Sequence, residues 1–225
     1  MNNILSHIDT RALALFIEVL PDGRRRALGG GCFFIHRDLI ITAKHVLEEV
    51  VTERRKIYVA NGSIDGKLLG AKPLSFFAHP DIDLGLVRIS TEDLHLEHPL
   101  FPSHFALHES TGAVGVGYDR KKSDNSTNNW NFGAHPIAAF EVEKRERNSG
   151  SVEYSLQFDA PWMEPGCSGG PVITRGGGVA AVLVESFSLQ SDSTQEAEQS
   201  RGRATSVYPM VEAFKSPFEY LPQQQ

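Results

Sequence analysis

A serine framed by glycines, Pro165-Gly166-Cys167-Ser168-Gly169-Gly170-Pro171, leads directly into the apolar pair Val172-Ile173. Acyl transfer asks for such a segment: a hydroxyl presented on a tight turn, with backbone N–H groups converging where an oxyanion forms. Gly166 stands two residues before Ser168 and can take the backbone geometry that aims its N–H at that point. Ser168 supplies a second N–H of its own. Read alone, the segment could be a glycine-rich hairpin turn. Two further residues shift the balance. His45 follows the apolar run Ile40-Ile41-Thr42 at the start of a short helical pattern, and Asp83 heads the run Leu84–Ile89. A lone histidine or aspartate in such a place is ordinarily structural. Histidine, aspartate and serine in this order are what a base, its orienting acid and a nucleophile would need. Asp81, two residues before Asp83, is the rival for the acid.

Cys167 is a second potential nucleophile. Counting two residues back from it reaches Pro165, which has no N–H to offer an oxyanion. Counting back from Ser168 reaches Gly166. The frame therefore selects Ser168. Cys167 is expected to be a small side chain tucked under the turn, a redox switch being the alternative that needs an accessible thiol.

The elements that must hold these residues read as short strands, rich in β-branched and aromatic residues and bounded by Gly, Pro, Asn and Asp. They are Ala12–Leu20, Gly31–Ile35, Leu39–Thr42, Lys56–Ala60, Leu84–Ile89, Ala113–Tyr118, Val152–Phe158, Pro171–Thr174 and Val179–Val184. Many short strands with few helical periods between them predict an all-β barrel or sandwich. Two segments read as helix: His45–Arg54, and a C-terminal stretch from Pro209 to Phe214 limited by Pro217. Asp119–Asn131, Glu143–Gly150 and Ser188–Arg203 have the polar composition of exposed loops. Thr91–Ser110 would suit a crossover between an N-terminal half, 1–95, and a C-terminal half, 96–225.

A net charge of -6 offers no cationic field for phosphates, so nucleic acid is not an expected partner. No stretch approaches the ~20 apolar residues that would span a bilayer, so no membrane partner is expected. The start of the chain carries Asp9, Arg11 and Glu18 where a signal peptide would be uncharged, and Cys32 and Cys167 are the only cysteines. Two thiols fit a reducing compartment, which predicts a cytoplasmic location. His95, His98, His104 and His108 match no standard zinc spacing, and neither a metal nor an organic cofactor is expected. Arg24-Arg25-Arg26 reads as a solvated hairpin tip.

The segments Thr42-Ala43-Lys44-His45, Asp83-Leu84-Gly85-Leu86 and Gly166-Cys167-Ser168-Gly169-Gly170-Pro171 resemble the three signature motifs of chymotrypsin/trypsin-like serine peptidases. Gly30-Gly31-Cys32-Phe33-Phe34-Ile35 is similar to the strand that precedes the family's histidine. The resemblance runs from about residue 27 to about residue 210, closer to bacterial, Deg-type members than to secreted digestive enzymes. It implies two six-stranded antiparallel β-barrels with the site in the cleft between them, here with a short C-terminal helix. It further implies a serine endopeptidase in which His45 takes the proton of Ser168, Asp83 orients His45, and the N–H groups of Gly166 and Ser168 bind the oxyanion. The Asp-Leu-Gly-Leu motif favours Asp83 over Asp81. By family position, Trp162 lies near the base of the primary specificity pocket, and Leu183-Val184-Glu185 forms the strand that pairs with an extended peptide. Glu185 would either point into the pocket or face solvent, and an apolar or small residue before the scissile bond is expected. Cys167 stands where secreted members carry the aspartate that pairs with a new N-terminus, so activation of that kind is not expected. The expected partner is a protein or peptide substrate, with a regulatory protein as a further one. A catalytically silent or partner-gated binding module is the alternative.

Overall fold

The protein is described by a computed structural model covering residues 10–36, 38–51, 57–61, 68–69, 73–89, 112–120, 130–150, 152–189 and 199–207. A 3-10 turn at Thr10–Ala12 leads into β1 (Leu13–Val19), β2 (Arg25–His36) and β3 (Leu39–Thr42). The helix α1 (Lys44–Val51) follows, then β4 (Ile57–Asn61), β5 (Leu68–Leu69), β6 (Pro73–Ala78) and β7 (Gly85–Ile89). The second half supplies β8 (Ala113–Arg120), β9 (Trp130–Ile137), β10 (Glu141–Glu146) and β11 (Val152–Asp159). It ends with β12 (Pro171–Thr174), β13 (Val179–Leu189) and β14 (Gln199–Ser206).

The strands form two antiparallel sheets, β5-β4-β1-β2-β3-β7-β6 and β10-β11-β14-β13-β12-β8-β9. The two outermost strands of each sheet are consecutive in the chain: β5 and β6 in the first, β9 and β10 in the second. Laid flat, seven strands would hold their edges about 29 Å apart. The short links from Leu69 to Pro73 and from Ile137 to Glu141 reach at most about 14 Å. Each sheet must therefore curl. The two curled sheets are the double barrel of the chymotrypsin-like fold.

Among the described residues each sheet has seven strands where six were expected. The two-residue β5 is one addition, and the other is the break at 138–140, where Phe140 turns inward, separating β9 from β10. All three segments read as loops also contain strand. β10 lies in 141–146, and β13 and β14 extend into both ends of Ser188–Arg203. β10 mixes exposed and half-buried residues, and what β14 buries, Gly202, Ala204, Thr205 and Ser206, is small or polar, so neither shows an apolar alternation. β8 and β9 likewise claim the ends of Asp119–Asn131. The N-terminal helix is real but begins at Lys44, and its described part ends at Val51. The predicted C-terminal helix, the crossover 91–110 and the histidines within it lie outside the described residues. Arg24 sits at the β1–β2 tip, ion-paired with Asp22, while Arg25 and Arg26 already belong to β2, paired with Val19 and Glu18.

Burial explains why α1 sits where it does. Val46, Leu47 and Val50 point into the core, and Leu47 donates its N–H to the carbonyl of Ala43 at 3.1 Å. This leaves His45 in the first turn, facing outward. The first core also draws in Val116, Ile173, Val179 and Val182 from the second sheet. Leu15, Ile17 and Ala60 pack with Tyr118 of β8. The barrels share an apolar interface, and the candidate residues cluster along its rim.

Candidate active site

Asp83 lies in the bend between β6 and β7 and reaches His45 twice. The backbone N–H of His45 donates to Asp83 Oδ1 at 3.0 Å, and Nδ1 of its ring lies 2.8 Å from Asp83 Oδ2. A carboxylate can only accept, so the acceptor assigns the proton to Nδ1 and leaves the Nε2 lone pair open. The hydrogen bond to Asp83 raises the His45 pKa above its ordinary value of 6.5 against the opposing effect of burial, and the charges of Asp83, Glu185 and Glu48 add to it. Burial pushes the Asp83 carboxyl up. The His45 ring and the backbone N–H groups of His45 and Lys44 outweigh that, and it titrates below the usual carboxylate value. Asp81 has a different partner: Ser149 Oγ donates to Asp81 Oδ2 at 2.5 Å, from the turn between β10 and β11.

Ser168 sits on a turn whose N–H groups are unequally used. Those of Cys167, Gly169 and Gly170 donate to the carbonyls of Glu164, Leu183 and Cys167 at 3.1, 2.8 and 3.1 Å. Among the described residues, the N–H groups of Gly166 and Ser168 donate to no backbone carbonyl. Gly166 has φ 109°, a conformation that only glycine adopts readily.

The serine turn is pressed against β2 of the other barrel. Gly31 donates its N–H to the Ser168 carbonyl at 2.7 Å. A Cβ on Gly30 would stand 2.3 Å from the Ser168 carbonyl oxygen and 2.9 Å from Val46 Cγ2. The serine turn and the histidine helix therefore meet at Gly30, a pinch point that admits no side chain. Position-by-position reading of the sequence did not find this role. The signal was the run Gly29-Gly30-Gly31 itself, placed in a strand where glycine is otherwise unfavourable.

The Ser168 hydroxyl donates its one proton to the Val184 carbonyl at 2.7 Å. That carbonyl is free for it because β13 skips a residue opposite β14, the register passing from Leu183 to Glu185. Glu185 is half exposed and ion-paired with Arg203 at 2.8 Å. Trp162 lies in the second barrel, stacked on His135 at 4.3 Å and 3°, with its ring edge against Gly115. Phe158 and Met163 are buried beside it. Cys167 is fully buried with its Sγ against Gly117, as a small side chain under the turn should be, and Cys32 is buried too, which pushes its thiol pKa up. Among the described residues no cluster of His, Cys, Asp or Glu could hold a metal ion, and no helix is long and apolar enough to cross a membrane.

The family described as the trypsin-like peptidase domain matches residues 30–182 of the chain. No curated protein sequence matches it. Among solved structures, the active form of the Rv3671c protease from M. tuberculosis aligns with TM-score 0.58 at 18% identity, over 94% of this chain and 82% of its own. An HtrA-type protease with a decapeptide aligns with TM-score 0.57 at 15% identity, over 97% and 67%. Neuropsin, a serine protease expressed in the limbic system of mouse brain, aligns with TM-score 0.60 at 13% identity, over 93% and 95%. At these identities the likeness is one of fold.

Proposed function

From its membership of the trypsin-like peptidase domain family, to which this chain belongs, we infer that it is a serine endopeptidase acting through Ser168, His45 and Asp83. The observation that carries the reading is the double hold of Asp83 on His45, which leaves Nε2 as the basic ring nitrogen on the helix that meets the serine turn at Gly30. Ser168 Oγ attacks the substrate carbonyl as its proton passes to His45 Nε2. The tetrahedral oxyanion then takes the N–H groups of Gly166 and Ser168, donors that nothing else in the turn uses. Collapse expels the amine, which receives the proton from Nε2, and leaves an acyl group on Ser168. Water repeats the sequence and frees the serine. No step calls on a metal or organic cofactor.

The hydroxyl must first leave the Val184 carbonyl. An extended peptide laid along β13 brings a backbone N–H that can take that acceptor, turning Ser168 toward His45 as substrate binds. The apolar side chains of Trp162, Phe158 and Met163, clustered with Cys167 beneath the serine turn, favour an apolar or small residue before the scissile bond. Two buried cysteines that form no disulfide fit a cytoplasmic location.

One observation favours a second reading, a module that is silent until a partner engages it: in the free protein Ser168 gives its proton to Val184 and not to His45. Reaction with a fluorophosphonate probe separates the two. The peptidase reading expects labelling of wild type and none of Ser168→Ala. Labelling that appears only after cell lysate is added would instead support the gated module, and none under either condition the silent one.

A further inference from the structure

We propose that His79 is a positioning residue that builds the loop presenting Asp83 to His45. The loop runs from the end of β6 to the start of β7 and closes on itself through the His79 ring. Nδ1 of His79 accepts the backbone N–H of Asp81 at 3.2 Å and of Ile82 at 3.1 Å. The His79 N–H donates to the Leu84 carbonyl at 2.9 Å, and the Leu84 N–H donates to the Ile82 carbonyl at 2.7 Å. Asp and Asn commonly serve as such an acceptor for N–H groups two and three residues ahead. Here an imidazole does so, on the rim of the site.

The loop is tied down on both sides. Lys44, the residue before His45, donates to the Pro80 carbonyl at 3.0 Å, and Ser149 of the other barrel donates to Asp81. Ile82 and Leu84 are buried and anchor the backbone below. Asp83 is thus the outward-facing residue of a loop fixed at each neighbouring position. Its two oxygens can then meet the ring and the backbone of His45 together.

The role requires a neutral imidazole, because protonation turns Nδ1 into a donor and strands two N–H groups. Burial holds the His79 pKa below 6.5, and the Lys44 ammonium lowers it further. Asp81 and Glu153 act in the opposite direction without cancelling the shift. Phe77 covers the ring edge-on at 6.4 Å. The ring is therefore an acceptor at neutral pH and ceases to be one in acid.

The test compares His79→Ala with His79→Asn, whose amide oxygen restores a short acceptor. The first readout is the His45 titration by NMR, which requires no catalysis, so the role of His79 is decided even if the peptidase reading fails. His79→Ala is expected to lower the His45 pKa as its hydrogen bond to Asp83 loosens, and His79→Asn to bring it back toward wild type. On a peptide substrate, His79→Ala lowers kcat by on the order of 10²-fold, the cost of a misplacement of about 1 Å, with KM held. In wild type, log kcat/KM steepens a second time in acid as His79 protonates, whereas His79→Asn keeps the single-proton slope. A folded His79→Ala protein with wild-type His45 titration and kcat overturns the proposal. Should that variant not fold, acid titrations of the Asp81 and Ile82 backbone amide shifts that coincide in wild type and His79→Asn overturn it equally.

Discussion

One carboxylate grips His45 at its ring and at its backbone, and the pH dependence of the reaction follows from that grip. The neutral ring is the base, and Asp83 raises its pKa above 6.5. Activity is therefore expected to climb through a midpoint above that value and to level off on the alkaline side. For stability the signs divide. The raised His45 pKa contributes fully below the ordinary histidine value and is lost as pH rises through the folded one. The lowered Asp83 pKa contributes above the ordinary carboxylate value and is lost as pH falls through the folded one. Asp83→Asn removes the charge and is expected to lower kcat by about 10⁴-fold, with the His45 midpoint moving down. Glu185→Gln removes only a more distant charge, so the midpoint shifts down a little and kcat stays close to wild type. Profiles of kcat/KM against pH check both. If Asp83→Asn keeps the wild-type rate while Asp81→Ala is dead, the acid role passes to Asp81. The order of His45, Asp83 and Ser168 made the site legible in the sequence. The occupation of Asp81 was not legible, because its partner Ser149 is 68 residues away in the chain.

The turn carrying Ser168 is shaped by what it is pressed against, and substitution separates conformation from contact. Gly169 has φ +85°, and a Cβ there would stand 1.9 Å from the Gly31 carbonyl oxygen and 2.5 Å from Thr42 Oγ1. Gly23 has φ +83° with nothing within 4 Å. Gly23→Ala should incur only the left-handed strain, about 1–3 kcal/mol, and label with a fluorophosphonate at the wild-type rate. Gly169→Ala carries the same strain and also forces the turn off β2, so it should lose labelling with a larger fall in Tm. Equal behaviour of the two variants would mean that the contact with β2 does not hold the turn. At this scale the sequence disclosed strands in proportion to the apolar surface they bury. β1 and β3 are covered on both faces and read plainly. β10 lies at an edge with charged residues along its length, and Arg201 and Arg203 of β14 engage Asp159 and Glu185 outside the barrel. Their strand character comes from pairing, of β10 with β11 and of β14 with β11 and β13, which residue-by-residue periodicity does not record.

Across the whole molecule, the cleft exists because two sheets from two halves of the chain share one apolar seam. Leu15, Ile17 and Ala60 pack on Tyr118, and Val116, Ile173 and Val182 join the core of the first sheet. The crossover expected in the Pro- and His-containing stretch 91–110 lies outside the described residues, and the seam was not legible because its partners lie far apart in sequence. Each large apolar side chain returned to water costs about 1.5–3 kcal/mol. A handful of them reaches the whole stability of an ordinary domain, about 5–15 kcal/mol. Neither half should stand alone. A polypeptide of residues 1–95 is expected to give collapsed NMR dispersion and no cooperative melt, while the full chain unfolds in one transition with near- and far-UV circular dichroism coinciding. The seam also holds the serine turn against Gly31, so fluorophosphonate labelling should disappear at the same denaturant concentration as the circular dichroism signal. Two separated transitions, or a folded 1–95 fragment, would show that the barrels are independent. The meeting of Ser168 and α1 at Gly30 would then depend on the docking of the barrels and not on their folding.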